Sequence, residues 1–165
     1  MKNNAVPRRQ GRLLSSAVIV SLLLVAGCAS HASSQPGSME EAEAMLERAV
    51  LHYEQVGREQ ALADFNAPTA PFINGDLYVF CYGPERTITA HGVDPALLGV
   101  DIDALRDVDG TAFATEMVRV AQASTQGGRS EYKWRNPATG RVERKICVVR
   151  AVGTEVCGVG AYQGD

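Results

Sequence analysis

Tyr132 and Trp134 stand just before the turn-forming segment Asn136-Pro-Ala-Thr-Gly140, and Lys145 stands just after it. The two aromatics are two apart in a stretch of strand character, so their rings share one face of a sheet. A turn centred on Ala138 sets Tyr132 across from Lys145, which brings a phenol, an indole and an ammonium to one side of the hairpin. A small carboxylate is held by such a set: a cation and N–H or O–H donors in an apolar wall that excludes water and strengthens each hydrogen bond. Lys133, Arg135 and Arg144 occupy neighbouring positions and fall mostly on the solvated face. The competing reading is a surface hairpin whose lysine points at water. Tyr78, Phe80 and Tyr82 share one face of an earlier strand and Leu77, Val79 and Cys81 the other, and either set can be core. His91 ends the next strand facing a covering loop, where its imidazole can donate to an anion or cap the strand.

Other chemistries fit less well. Nucleophilic catalysis could draw only on Cys81, Cys147 or Cys157 with His91. Each cysteine lies among strand residues, with no helix N-terminus or cation run to lower its pKa, so no enzyme is expected and no catalytic residue is assigned. No Cys-x-x-Cys or close Cys/His pair exists to hold zinc. In Leu105-Arg-Asp-Val-Asp-Gly110 the acids fall at calcium-loop spacing, but Leu105 occupies the first ligand position; Asp109-Gly110 reads as a turn before a helix. Neither a metal nor a cofactor is expected. The three cysteines read as small apolar residues buried in strands, with a Cys147 to Cys157 bridge as the alternative.

The first residues set the compartment. Lys2, Arg8, Arg9 and Arg12 precede an apolar run from Leu13 to Gly27, with no acid among them. The run is short for a membrane span and ends in small residues, as signal peptides do. Val25-Ala26-Gly27-Cys28 resembles the lipobox of bacterial lipoproteins, which implies a signal peptide over residues 1–27 and lipid, palmitate included, on Cys28. Ala29 is not the aspartate that resembles an inner-membrane retention mark. The resemblance therefore implies a lipid-anchored, periplasm-facing protein, at the outer membrane if the cell has one. The signal peptide holds four of the sixteen basic side chains and none of the nineteen acidic ones, so the rest carries twelve against nineteen, a formal −7. Nucleic acid is thereby an unsuitable partner. With no second apolar segment, the chain is not expected to carry a signal across a membrane itself.

Residues 28–37 are small and polar and read as a tether; residues 38–165 suit one domain. Ser38-Met-Glu-Glu41 matches a capping box, and Ala42, Met45, Leu46, Ala49, Val50, Tyr53 and Val56 repeat at helical spacing up to Gly57. His52 falls off that stripe and receives no role. A shorter helix runs from Arg58 to about Phe65, and Asn66 to Asp76 reads as turns. Strands are expected over Leu77–Tyr82 and Arg86–His91, a helix over about Thr111–Ala123, and strands over Ser130–Arg135, Val142–Val152 and Glu155–Tyr162. The order describes an α+β domain around one antiparallel sheet.

The segments DLYVFCYGPERTITAHG, LLGVDI, LRDVDGTAF, YKWRNPATGRVERK and GVGAY resemble, in order and spacing, single Cache domains of the second type, a bacterial extracellular sensor module. The resemblance covers nearly all of Met39 to Tyr162. It implies a PAS-like fold, with a long N-terminal helix packed along a five-stranded antiparallel sheet and a small-molecule pocket between the sheet and its covering loop and helix. It also implies a small organic anion as ligand, notably a short carboxylic acid, for which Lys145, Tyr132, Trp134, His91, Tyr78 and Phe80 are the candidate binding residues. An unidentified signalling or transport protein would receive the signal or ligand. His91-Gly92 stands where the family commonly has His-Pro, which implies a looser loop beside His91. The rival reading is a structural or protein-interaction lipoprotein with a closed PAS-like core.

Overall fold

The computed structural model describes residues 36–69 and 71–164. The signal peptide, Cys28 with its lipobox and most of the tether lie outside the described residues. Helix α1 spans Met39–Val56. It starts on the expected capping box: the Glu41 N–H donates to the Ser38 hydroxyl at 3.1 Å and the Ser38 N–H to the Glu41 carboxylate at 2.8 Å. Each bond satisfies a donor that a helix start would otherwise leave unpaired. The helix stops at Gly57, whose φ of 81° opposes continuation, and α2 (Arg58–Asn66) follows directly. Met45 and Leu46 of α1, with Phe65 of α2, are buried on the sheet, each contributing about 1.5–3 kcal/mol of apolar burial.

The sheet has six strands: β1 (Ile73–Asn74), β2 (Leu77–Tyr82), β3 (Ile88–His91), β4 (Gly128–Arg135), β5 (Val142–Val152) and β6 (Glu155–Gln163). All pairings are antiparallel, running β1-β2-β6-β5-β4, with β3 also on β2. Five of these are the expected strands. The sixth, β1, is a two-residue ladder folded back on the start of β2, inside a stretch that reads as turns.

Both faces of the sheet are covered, so both residue sets of β2 are core. Leu77, Val79 and Cys81 pack toward α1 and α2. Tyr78, Phe80 and Tyr82 pack on the other side, under Phe113 and Met117 of α3 (Phe113–Gln122) and Ile102 of the long β3–α3 connection. Between Val156 and Tyr162 of β6 the second face carries only Gly158 and Gly160. A Cβ at Gly158 would stand 2.6 Å from the Phe80 ring, and one at Gly160 would stand 2.3 Å from the Cys147 sulfur and 2.4 Å from Lys145 Cε. The Gly-x-Gly-x-Tyr run thus leaves a groove in which those side chains lie.

Two expectations need correction. Cys81 and Cys157 are disulfide-bonded, directly opposed on β2 and β6 with Cα atoms 4.1 Å apart. Cys147 cannot reach Cys157: its cross-strand neighbour is Gly160, and the two cysteines lie on opposite faces of the sheet. The loop after His91 is not slack either. The Gly92 N–H, which a proline would lack, donates to the Val79 carbonyl at 3.0 Å, and a Cβ there would stand 3.2 Å from Ile73 and Tyr78.

Candidate ligand-binding site

The β4–β5 hairpin has the register that places Tyr132 opposite Lys145. Arg144 turns to the other face and pairs with Glu131. Lys145 is completely buried, and its Nζ has no hydrogen-bond partner among the described residues. Rings stand where acceptors would: the Tyr78 centroid lies 3.8 Å from Nζ, Tyr162 4.6 Å and Phe80 5.9 Å. Cation–π contact recovers part of the lost hydration but leaves the ammonium's donors unused. Burial pulls the lysine down to about 8, against the opposing fields of Cys147 and Asp76.

His91 is fixed beside it, with its ring 4.9 Å from that of Tyr78. Its Nδ1 accepts from the Asp94 backbone N–H at 3.0 Å, so the neutral ring carries its proton on Nε2. Burial, reinforced by Lys145, lowers its pKa to about 4, so the ring is neutral at physiological pH. Tyr162 donates to the Arg135 carbonyl at 2.8 Å, which leaves its oxygen to accept from Tyr78 at 3.3 Å. One ammonium, one imidazole N–H and an ordered pair of phenols therefore meet on one face, with no carboxylate among the described residues hydrogen-bonded to any of them.

Tyr78, His91 and Trp134 line an open cavity of about 600 Å³ between β4, the β3–α3 connection and the hairpin turn. Phe80 and Tyr132 line a second, very small space of about 10 Å³, to which His91 and Trp134 also contribute. Phe113 also lines it and stacks on Tyr132, centroids 4.1 Å apart and planes 4° from parallel. Lys145 lines neither space, and its Nζ lies against the Tyr78 ring. The structure thus divides the six expected residues between an open cavity, a very small space and a buried cation.

Residues not foreseen complete the picture. Asp94, three after His91, orients the imidazole through its backbone; a His-x-x-Asp spacing was the only available signal. Tyr162 was visible as the end of Gly-x-Gly-x-Tyr. Asp76, buried at the head of β2, accepts from the Gly37 N–H at 2.8 Å and the Asn136 amide at 3.3 Å; Asn136 also donates to Glu143 at 2.8 Å. Cys147 is the free thiol among the described residues; burial raises its pKa, which makes it a poor nucleophile. No cluster of metal-ligating side chains occurs among the described residues, and none of their helices is long and apolar enough to cross a membrane.

A family profile described as Single Cache domain 2 matches residues 31–165. No curated protein matches the chain. Among solved structures, a methyl-accepting chemotaxis protein from Vibrio parahaemolyticus RIMD 2210633 is similar at 20% identity and a TM-score of 0.64, over 74% of this chain and 86% of that one. A periplasmic sensor domain of a chemotaxis protein gives 24% and 0.57, over 76% and 90%. A Cache chemosensory domain described for its carboxylic acid recognition gives 21% and 0.57, over 76% and 88%. At these identities the likeness is one of fold.

Proposed function

Because the chain belongs to the single Cache domain 2 family, we propose that it is a lipid-anchored, extracytoplasmic sensor domain that binds a small organic anion such as a short carboxylic acid. One observation carries the reading: Lys145 Nζ is wholly buried without an acceptor among the described residues. A desolvated, unpaired ammonium is costly to the fold, and a carboxylate is the partner that would offset the cost. Tyr78 is the residue through which an anion in the cavity would reach it, since Tyr78 lines the cavity and its ring carries the ammonium. His91 Nε2–H would supply a neutral donor. The carboxylic acid recognised by one structural neighbour agrees with this ligand class. Residues 1–27 would be the signal peptide, residues 28–37 the tether from lipidated Cys28, and residues 38–165 the sensing domain. The domain would face the periplasm and report to a signalling or transport protein. The role is binding, without catalysis.

A second reading, a structural lipoprotein with a closed core, draws on the near absence of space in the inner site and on Lys145 lining neither of the two spaces. Thermal denaturation of the full chain in detergent separates the two. A ligand at a hundredfold excess over Kd adds about 2.7 kcal/mol, which moves the midpoint by several degrees. The sensor reading predicts such a shift with at least one of acetate, propionate, lactate or pyruvate, or a related acid. A flat response from folded, ligand-free protein across acids, amino acids and amines supports the structural reading.

A further inference from the structure

We propose that the tip of the β4–β5 hairpin is a membrane-contact surface, which seats residues 137–142 against the headgroups of an anionic phospholipid bilayer. This rests on the lipid-anchor reading above and concerns the outside of the domain rather than its pocket. The chain enters the domain beside that tip. The Gly37 N–H donates to Asp76 at 2.8 Å, and a Cβ on Gly37 would stand 2.3 Å from Leu77 Cγ, so the backbone there lies directly against the head of β2. Asp76 in turn accepts from Asn136, and Pro36 shares a space of about 110 Å³ with Asn136, Ala138, Thr139 and Arg141 of the turn. Cys28 and Pro36 are eight residues apart. A lipid on Cys28 therefore holds Pro36, next to the hairpin tip, within about 29 Å of itself.

The tip has the composition such a surface requires. Residues 133–145 hold five of the twelve basic side chains that follow residue 27 and one of the nineteen acidic ones, although the chain beyond residue 27 carries a formal −7. Lys133 and Arg144 pair with Asp109 and Glu131, and Lys145 is buried, which leaves Arg135 and Arg141 at the tip. The one acid, Glu143, is itself buried and accepts from Asn136, Thr139 and Arg141 at 2.8, 2.6 and 3.1 Å. Asp94 and Asp107 belong to the β3–α3 connection, on the other side of the open cavity. Residues 137–142 form an exposed run without a carboxylate, and Val142 within it is 45% exposed. Apolar side chains of this kind settle at headgroup depth, and guanidiniums bind phosphate oxygens in bidentate fashion. Arg135, Pro137 and Val142 also line the open cavity, so the same contact brings that cavity beside the headgroups.

Fluorescence quenching on the full, acylated chain in vesicles tests this. A fluorophore is attached at Ala138→Cys on the tip or at Leu51→Cys on α1, where Leu51 is 46% exposed. The bridged Cys81 and Cys157 and the buried Cys147 leave the introduced thiol as the reactive one. In vesicles of equal parts phosphatidylglycerol and phosphatidylcholine, a nitroxide at headgroup depth should quench the probe at position 138 several-fold more than the probe at position 51. The difference should shrink in phosphatidylcholine alone. Arg135→Glu with Val142→Asp should remove it while the protein stays on the vesicles through Cys28. Equal quenching at the two positions, equal quenching with and without phosphatidylglycerol, or a difference that survives the double substitution overturns the proposal and leaves the anchor reading standing. Quenching that depends on the ratio of protein to lipid marks contact with a neighbouring protein and overturns it too. Failure of the folded chain to enter vesicles at all overturns both.

Discussion

Lys145 is buried among rings where an acceptor would be expected, and its titration follows from that placement. Its pKa of about 8 stands below the ordinary lysine value because the site is dry. The neighbours that bear on it are Asp76 and Cys147, which favour the ammonium, neutral His91, and the phenols of Tyr78 and Tyr162, both held un-ionised by burial. An anion binds the ammonium and not the amine. Affinity should therefore be flat from about pH 6 to 7.5 and fall above pH 8, approaching tenfold per unit, because the free protein then binds fewer protons than the complex. His91, with its pKa of about 4, adds no step in that range. Calorimetry at several pH values checks the profile. A fall in affinity centred between pH 6 and 7 would instead mark histidine as the controlling group. The sign for stability follows from the same shift. Between pH 8 and the unfolded lysine value the unfolded chain binds more protons, so the penalty of burying Lys145 is complete below pH 8 and fades as pH rises.

At the scale of elements, periodicity and turn chemistry made most of the fold legible. The capping box and the i, i+3, i+4 stripe located α1, and the hairpin turn fixed the register that sets Lys145 against Tyr132 and sends Arg144 to the opposite face. What stayed hidden depends on contacts between distant segments. The surroundings of Lys145 and Tyr132 include Tyr78 on β2 and Phe113 on α3, neither of them local to the hairpin. The β1 ladder is too short to show a period. The disulfide required knowing that β2 pairs with β6, a connection spanning 76 residues that no local pattern reveals. Closing so long a loop restricts the unfolded chain, so replacing both Cys81 and Cys157 by alanine should lower stability by about 2–4 kcal/mol. Denaturant unfolding of the oxidised protein against the double variant measures this. Equal midpoints would show that the bridge contributes nothing.

For the whole molecule, one helical layer covers the hydrophobic face of the sheet while α3 and the long connection cover the aromatic face that holds the candidate site. A leader over residues 1–27 would place this domain outside the cytoplasm, and the lipobox reading predicts that Cys28→Ser abolishes acylation and leaves the protein unprocessed or mislocalised. Incorporation of labelled fatty acid into the Cys28→Ser protein would show that the anchor lies elsewhere. The central claim is that the buried ammonium is a receptor for an anion, and titration of the carboxylic acid giving the largest thermal shift into wild type, Lys145→Met and Arg144→Met tests it most directly. Lys145→Met keeps most of the apolar stem and removes an unpaired buried charge, so it should fold at least as stably as wild type. Loss of a charge-assisted hydrogen bond should weaken its binding by about 1.5–3 kcal/mol, roughly ten- to a hundredfold in Kd. Arg144→Met, whose side chain lies on the opposite face paired with Glu131, should bind as wild type does. Unchanged affinity in a folded Lys145→Met protein would contradict the account.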